Sequence, residues 1–224
     1  MRAEDALKLH PNLVISKSKA YFGLFTKIRD VNTKPVEFAF YAKRLMRILS
    51  EDAIGELPSN LSKIETPCGP CEGVITMDPN DICAVSIVRA GDSLLEVVRE
   101  ILPGVHVGKI LIQRNEETKD KTPEFYYSKM PPNVAGMKIL LCDPMLATAG
   151  SSIMAVGVLE DKHGVKAENI IFINVLCAPE GLKILASKYP SMKIVTAQVD
   201  EYLNEENFIV PGLGDFGDRF FNTT

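Results

Sequence analysis

Residues 139–152 read ILLCDPMLATAGSS. An apolar run, short enough for a buried strand, stops at Asp143-Pro144. A turn of small and hydroxyl residues then leads to Gly150, Ser151 and Ser152, and the following IMAVGVLED carries helical spacing. Pro144 fixes φ and removes a donor, so the chain leaves the strand sharply. From Leu146 to Ser152 the turn offers backbone N–H groups at a helix N-terminus, where the helix dipole favours an anion. Ala147, Ala149 and Gly150 keep that backbone approachable, while Thr148, Ser151 and Ser152 can donate hydroxyl hydrogen bonds. A phosphate monoester fits such a turn. The same residues also read, more plainly, as an N-capped helix after a loop, because Ser and Thr are ordinary caps.

The strand–turn–helix order repeats on both sides of this stretch. ICAVSIV is an apolar strand, GDSLLEVVREIL an amphipathic helix, and VHVGKILIQR the next strand. After the opening stretch come NIIFINVLCA as strand, PEGLKILASKYP as helix and KIVTAQV as strand. Alternating strands and helices imply βαβ units, hence an α/β fold with a mostly parallel central sheet and helices on both faces. Upstream, Pro35 opens a helix in which Phe38, Tyr41, Leu45, Ile48 and Leu49 recur at helical spacing up to Gly55. KIETPCG and EGVITM read as a hairpin or two short strands. The expected organisation is one domain over residues 1–224, with an N-terminal helical segment (1–60) and a turn-rich C-terminal flap (200–224).

With 224 residues, 46% of them hydrophobic, the chain can bury a sizeable core. Its formal net charge of −4 gives no overall basic excess, so nucleic acid is not expected as a partner. The charged N-terminal MRAEDALKLHPN lacks the apolar stretch of a signal peptide, and no run is long enough to span a bilayer. A cytoplasmic protein with no membrane partner is therefore expected. Of five cysteines, Cys83, Cys142 and Cys177 fall in apolar runs and read as core residues. Cys68-Gly69-Pro70-Cys71 has thiol-oxidoreductase spacing, but strand and turn follow it instead of a helix, so a tight turn with two free thiols is expected. GVHVGKI is one residue short of a P-loop and has Ile where Ser or Thr would bind magnesium. No G-x-G-x-x-G opens a helix after a strand.

In parallel sheets ligands bind beyond the strand C-termini, so the strand ends carry the functional signal. One strand ends in Arg89-Ala90-Gly91-Asp92, another in Arg114-Asn115-Glu116-Glu117, a third in Asp143 and the phosphate turn. Guanidinium forks pair with phosphate oxygens in a bidentate way, which suits Arg89 and Arg114 to a diphosphate. Asp143 is an acceptor for sugar hydroxyls. Together they suit substitution at a sugar carbon lying between a 5′-phosphate and a leaving diphosphate.

These residues resemble the uracil phosphoribosyltransferase family, of the type I phosphoribosyltransferase-like group. CDPMLATAGSS resembles its phosphoribosyl diphosphate motif, and the acid-Pro-Met-x-Ala-Thr run is the specific part. IRDVNTKPVEF, VRAG, GKILIQRNEET, YYSKMP, CAPEGL and FIVPGLGDFGDR follow in the family's order, so the resemblance covers nearly the whole chain. It implies a Rossmann-like phosphoribosyltransferase fold with a C-terminal base-binding flap. It also implies transfer of phosphoribose from 5-phospho-α-D-ribose 1-diphosphate (PRPP) to N1 of uracil, giving UMP and diphosphate in pyrimidine salvage. Magnesium (Mg2+) would be held mainly by the substrate and not by a protein metal site. GTP is the candidate activator, and a homodimer or homotetramer the expected assembly.

Carried over by motif, PRPP would be bound by Arg89, Arg114, Asp143, Pro144, Met145, Leu146, Ala147, Thr148, Ala149, Gly150, Ser151 and Asp215. Ile209, Gly214, Asp215 and Phe216 would form the uracil pocket. The catalytic set would be Arg89, Arg114, Asp143 and Asp215, with residues 115–129 as a mobile lid. Three positions depart from the family's usual pattern. Ala149 stands where Gly is commoner, Asn115 where an acid is commoner, and Phe216 where a small residue is commoner. None of His10, His106 and His163 falls at the strand ends just named, so no general base for uracil N1–H stands out. A catalytically silent nucleotide-binding regulator of the same fold is the alternative. It would be expected to lose Arg89, Asp143 or Asp215, all of which are present.

Overall fold

The protein is described by a computed structural model covering residues 3–114 and 122–223. It opens with α1 (Ala3–Ala6), β1 (Leu13–Ile15), α2 (Ala20–Arg29) and α3 (Pro35–Gly55). A hairpin follows, β2 (Ser59–Thr66) and β3 (Gly69–Thr76), then β4 (Ile82–Val88), α4 (Gly91–Ile101), β5 (His106–Arg114) and β6 (Pro123–Lys129). Next come β7 (Lys138–Cys142), β8 (Met145–Leu146), α5 (Gly150–His163), β9 (Ile170–Cys177), α6 (Pro179–Lys188) and β10 (Lys193–Val199). The C-terminal segment holds β11 (Tyr202–Leu203), β12 (Ile209–Val210) and α7 (Phe216–Phe221).

The main sheet runs β1-β10-β9-β7-β4-β5-β6, with β8 paired on β9. Every pairing in it is parallel except that of β5 with β6. β9, IIFINVLC, is buried along its whole length, as a central parallel strand covered on both faces must be. One face packs α2, α3, α4 and α7 through Leu24, Phe38, Leu45, Leu94 and Phe216. The other packs α5 and α6 through Ala155, Leu159, Leu182 and Leu185. Along β4 and β7 alternate residues serve the two cores: Ala84 and Leu140 one, Val85 and Leu141 the other. Among the described residues no helix is long and apolar enough to cross a membrane.

α3 starts with Pro35 in its first turn and buries Phe38, Ala42, Leu45, Met46, Leu49 and Ala53, the three-and-four spacing of one helix face. The structure differs from the sequence reading in two places. The N-terminal segment is not purely helical, because Leu13–Ile15 pairs in parallel with Ile194–Thr196 at the sheet edge. A three-residue strand is too short for its alternation to show. Of the expected lid, residues 115–121 lie outside the described residues, and Pro123–Lys129 is a strand rather than a loop. It is an edge strand, open to water on one side, so its Glu, Tyr, Ser and Lys can stay solvated while the backbone pairs with β5.

The N-terminal segment is tied to the C-terminal one by two arginines. Arg29, at the end of α2, donates from Nη1 and Nη2 to the two Asp200 carboxylate oxygens at 2.8 and 2.6 Å, and from Nη1 to the Gly212 carbonyl at 2.5 Å. Asp200 is only 1% exposed and also accepts the Gly212 N–H at 2.8 Å. Arg219, in α7, donates to the carbonyls of Ile28, Asp30 and Leu213 at 2.6, 2.7 and 2.6 Å and lies over the Phe38 ring. Removing the Arg29 guanidinium leaves a buried carboxylate without its cation. Arg29→Ala should therefore cost about 3 kcal/mol and lower the thermal midpoint by roughly 6–12 °C. A fall under about 2 °C in a thermal melt would show that the Gly212 N–H and the Gln198 amide satisfy Asp200 without the guanidinium.

Candidate active site

β4 and β7 are neighbours, yet the chain leaves them toward opposite faces, to α4 on one side and α5 on the other. A cleft of about 490 Å³ opens between their C-terminal ends, with Arg89, Gln113, Asp143, Ser151, Asp215 and Gly217 in its walls. This is the topological switch point where open α/β sheets bind ligands. The structure thus gathers Arg89, Asp143, Ser151 and Asp215, four of the residues expected from sequence, around one cavity. Arg114 closes β5, whose preceding residues Leu111 to Gln113 also line the cleft. Asn115 lies outside the described residues.

The turn after β7 is held from beneath. Pro144 accepts the N–H groups of Val175 and Leu176 at 2.9 and 3.1 Å, Met145–Leu146 pairs with Leu176–Cys177, and Ala178 donates to the Leu146 carbonyl at 2.8 Å. On its flank α6 comes so close that a Cβ on Gly181 would lie 2.3 Å from the Ala147 carbonyl oxygen. Only glycine permits that approach. Ala149, at φ 65° and ψ 2°, then turns the chain into α5. No side chain caps the helix there, and its first turn holds no acid. The plain N-capped reading is therefore not what the structure has. The positive end of a 14-residue helix is left without a side-chain cap beside the cleft. Thr148, Gly150 and Ser151 are half-buried around it, and Ser152 is buried.

In the C-terminal segment Asp215 lines the cleft and its Oδ1 accepts the Asp218 N–H at 2.8 Å, capping α7. Gly214 is exposed at φ 80°. Ile209 and Phe216 are buried among core residues. The Phe216 ring packs edge-on against Phe38 at 5.4 Å and stacks on Phe220 at 5.6 Å. The large ring is thus taken into the core under α3, and these two positions can serve a ligand only through backbone. The peptides Val88–Arg89 and Val210–Pro211 are both cis.

The remaining candidates lie elsewhere. His106 begins β5 and His163 ends α5, each at the end of its element away from the cleft. His10 is buried, accepts the Asn12 N–H, and is held below the usual imidazole range by burial. Burial pushes the Cys83 and Cys177 thiols up to about 12 and Cys142 higher still, so all three are inert core groups. Cys68 sits in the exposed turn between β2 and β3, and Cys71 is in β3. Both thiols are free and exposed. Arg29, Asp200, Asp218 and Arg219 escaped the sequence reading of the site. The Arg29–Asp200 and Arg89–Asp218 pairs and the Arg219 bonds to Ile28 and Asp30 join residues remote in the chain, and no local pattern marks them.

Residues 15–223 match the family model described as uracil phosphoribosyltransferase. The uracil phosphoribosyltransferase of Dictyostelium discoideum is 46% identical over 213 residues, covering 95% of this chain and 97% of that one. Uracil phosphoribosyltransferase 1 of Schizosaccharomyces pombe is 45% identical over 216 residues, 96% of each chain. Among solved structures, the AQ2163 protein from Aquifex aeolicus superposes with a TM-score of 0.80 at 30% identity, covering 95% of this chain and 99% of that one.

Three contributions decide what Ala149 costs at its positive φ. Relief of left-handed strain on change to Gly is worth about 1–2 kcal/mol. Against it stand about 0.4–1 kcal/mol of added unfolded-chain entropy and about 0.8 kcal/mol for a buried methyl. Ala149→Gly should therefore shift the thermal midpoint by less than roughly 3 °C, whereas β-branched Ala149→Val should lower it by more than roughly 4 °C. Equal midpoints for the two variants would contradict the left-handed assignment.

Proposed function

The chain belongs to the uracil phosphoribosyltransferase family, and from that premise we propose how its cleft runs the reaction. Phosphoribose passes from PRPP to N1 of uracil: the bond from ribose C1 to the diphosphate breaks, the bond from C1 to N1 forms, N1 gives up its proton, and UMP and diphosphate leave. The observation that carries this reading is the meeting of Arg89, Asp143 and Asp215 with the uncapped N-terminus of α5 in one cleft.

The 5′-phosphate sits on the turn from Leu146 to Ser151, held by backbone amides and by the hydroxyls of Thr148 and Ser151. Asp143, at the strand end beside that turn, accepts from the ribose hydroxyls. Arg89 and Arg114 neutralise the diphosphate as its charge develops, which is where an oxocarbenium-like substitution needs stabilisation. Uracil lies against the backbone of residues 209–216, whose N–H and C=O groups match its two carbonyls and N3–H. Cytosine would leave those groups unpaired, so discrimination should be large. No histidine takes the N1 proton in this scheme.

Phosphoribosyltransferases use magnesium with PRPP. The cleft offers two carboxylates, Asp143 and Asp215. One or two carboxylates plus substrate phosphate oxygens is the donor set that Mg2+ favours, so these residues fit an ion carried in on the diphosphate. There it would lower the charge of the leaving group. The five free thiols suit a reducing compartment, and we assign the protein to the cytoplasm. We also assign a homodimer or homotetramer. A two-stranded sheet is marginal alone in water, and β2–β3 leaves Leu61, Val74 and Ile75 exposed for a second copy to cover.

The test is diphosphate release with PRPP, magnesium and, in turn, uracil, cytosine, hypoxanthine and adenine, with and without GTP. Turnover is expected with uracil, and at least about a thousandfold less with cytosine; no turnover with any base would overturn the enzymatic reading. Asp143→Asn should keep the fold, by circular dichroism, and lose about a hundredfold or more in kcat/KM. Near-unchanged kinetics would remove that carboxylate from the site.

A further inference from the structure

Arg89 stands between the cleft and the C-terminal helix. Its Nη2 donates to Asp218 Oδ1 at 2.5 Å, and its Nη1 to Thr223 Oγ1 at 2.9 Å. Thr223 Oγ1 donates in turn to the same Asp218 oxygen at 2.7 Å, and the Thr223 N–H to the Asp218 carbonyl at 3.1 Å. The Phe221 ring lies 5.8 Å from the guanidinium. Gly217 leaves just enough room, for a Cβ there would come 3.3 Å from Nη2 and 3.7 Å from Nε. Arg89 and Gly217 line the cleft; Asp218 and Thr223 do not.

This is an arginine gripped from behind. A guanidinium carries five N–H donors, and the two contacts use two of them, leaving three for a ligand in the cleft. A free arginine side chain samples many rotamers, and holding it in one removes an entropic cost from ligand binding. We propose that Asp218, with Thr223, is a positioning residue that aims Arg89 at the diphosphate of PRPP, so that the last turn of the chain sets how tightly the sugar substrate is held. The proposal rests on the reading of Arg89 as a diphosphate contact. Hydrogen bonds from Thr223 and then Arg89 keep the Asp218 carboxyl below the usual carboxylate range, so it is ionised at neutral pH.

The opposite role is also physically defined. An acid beside an anion-binding arginine can mask it, and then removing the acid would improve binding. The two roles differ in sign and in what asparagine does. Asparagine keeps an acceptor for Arg89 and Thr223 but removes the charge. In steady-state kinetics, positioning predicts that Asp218→Ala raises the KM for PRPP roughly tenfold with little change in the KM for uracil. Asp218→Asn stays within about threefold of the parent, and Thr223→Val raises the same KM by about threefold. The uracil side is spared because the bond to Asp215 comes from the Asp218 backbone, which every variant keeps. In an Arg89→Ala background, Asp218→Ala should add less than about twofold.

A KM for PRPP that is unchanged or lower in Asp218→Ala overturns the proposal, as does an effect that persists in full without Arg89. If Asp218→Ala does not fold by circular dichroism, Asp218→Asn and Thr223→Val decide. Asn as damaging as a cleft residue, or Val without effect, overturns it. Arg89→Ala alone tests the underlying reading. An unaltered KM for PRPP in that single variant would sink the diphosphate contact itself, separately from the role of Asp218.

Discussion

β4 and β7 run side by side, and the chain leaves their C-terminal ends in opposite directions. That divergence is the constraint on which the rest depends. Helices packed on opposite faces cannot close over the gap between these two strands, so a cleft persists there whatever side chains line it. Arg89 follows one strand and Asp143 the other. Cation and acid are thus brought together by topology, with no direct bond needed between them. The same divergence aims the N-terminus of α5 at the cleft, because a helix that crosses over from β7 to β9 must begin at the strand's C-terminal end.

The second requirement is that a loop-rich C-terminal segment keep its shape beside that cleft. Hydrophobic burial supplies part of this through Ile209, Leu213 and Phe216. The directional part comes from two cations that bond mainly to backbone and buried acid. Arg219 bonds three carbonyls, and Arg29 joins the Asp200 carboxylate to the Gly212 carbonyl. Carbonyls in an irregular loop lack ladder partners, and a planar guanidinium satisfies several at fixed angles. The N-terminal helices thus act on the ligand site at a distance: α2 and α3 make no wall of the cleft, yet they hold the segment that does.

How much of this was legible in the sequence follows from where each signal resides. Long elements with one buried face, such as Pro35–Gly55 and Ile82–Val88, declared themselves by period and boundary residues. β1 and β8 have three and two residues, too few for any period, and exist only because a neighbouring strand pairs with them. β6 looked like loop because its side chains are mostly polar, which an edge strand tolerates. In the cleft, the grouping of strand-end residues was readable because the fold class says which strand ends share one edge of the sheet. Arg29, Asp200 and Arg219 were not, since an ion pair spanning 171 residues leaves no local mark. The C-x-x-C spacing was discounted on the sequence alone, and the structure agrees, with Cys68 in a turn and Cys71 in the strand after it. It is a sequence pattern whose chemistry needs a helix start, and a strand stands there instead.

The two ends of the sugar substrate then call for different physics. In the proposed scheme a 5′-phosphate on the α5 turn keeps the same charge from ground state to transition state, so its binding energy would position the ribose without itself favouring bond cleavage. The diphosphate gains charge as the C1–O bond breaks, so a group aimed at it acts on the barrier. Their supports differ accordingly. The turn is fixed by backbone: Pro144 and Leu146 bound to β9 and its following residue, α6 pressed against Ala147, and a left-handed residue at 149. Arg89 is a long side chain and cannot be fixed that way, so it needs a side-chain clamp, which Asp218 and Thr223 provide. A backbone cradle suits an unchanging anion. A clamped but partly exposed guanidinium, with N–H groups to spare, suits one whose charge grows during the reaction.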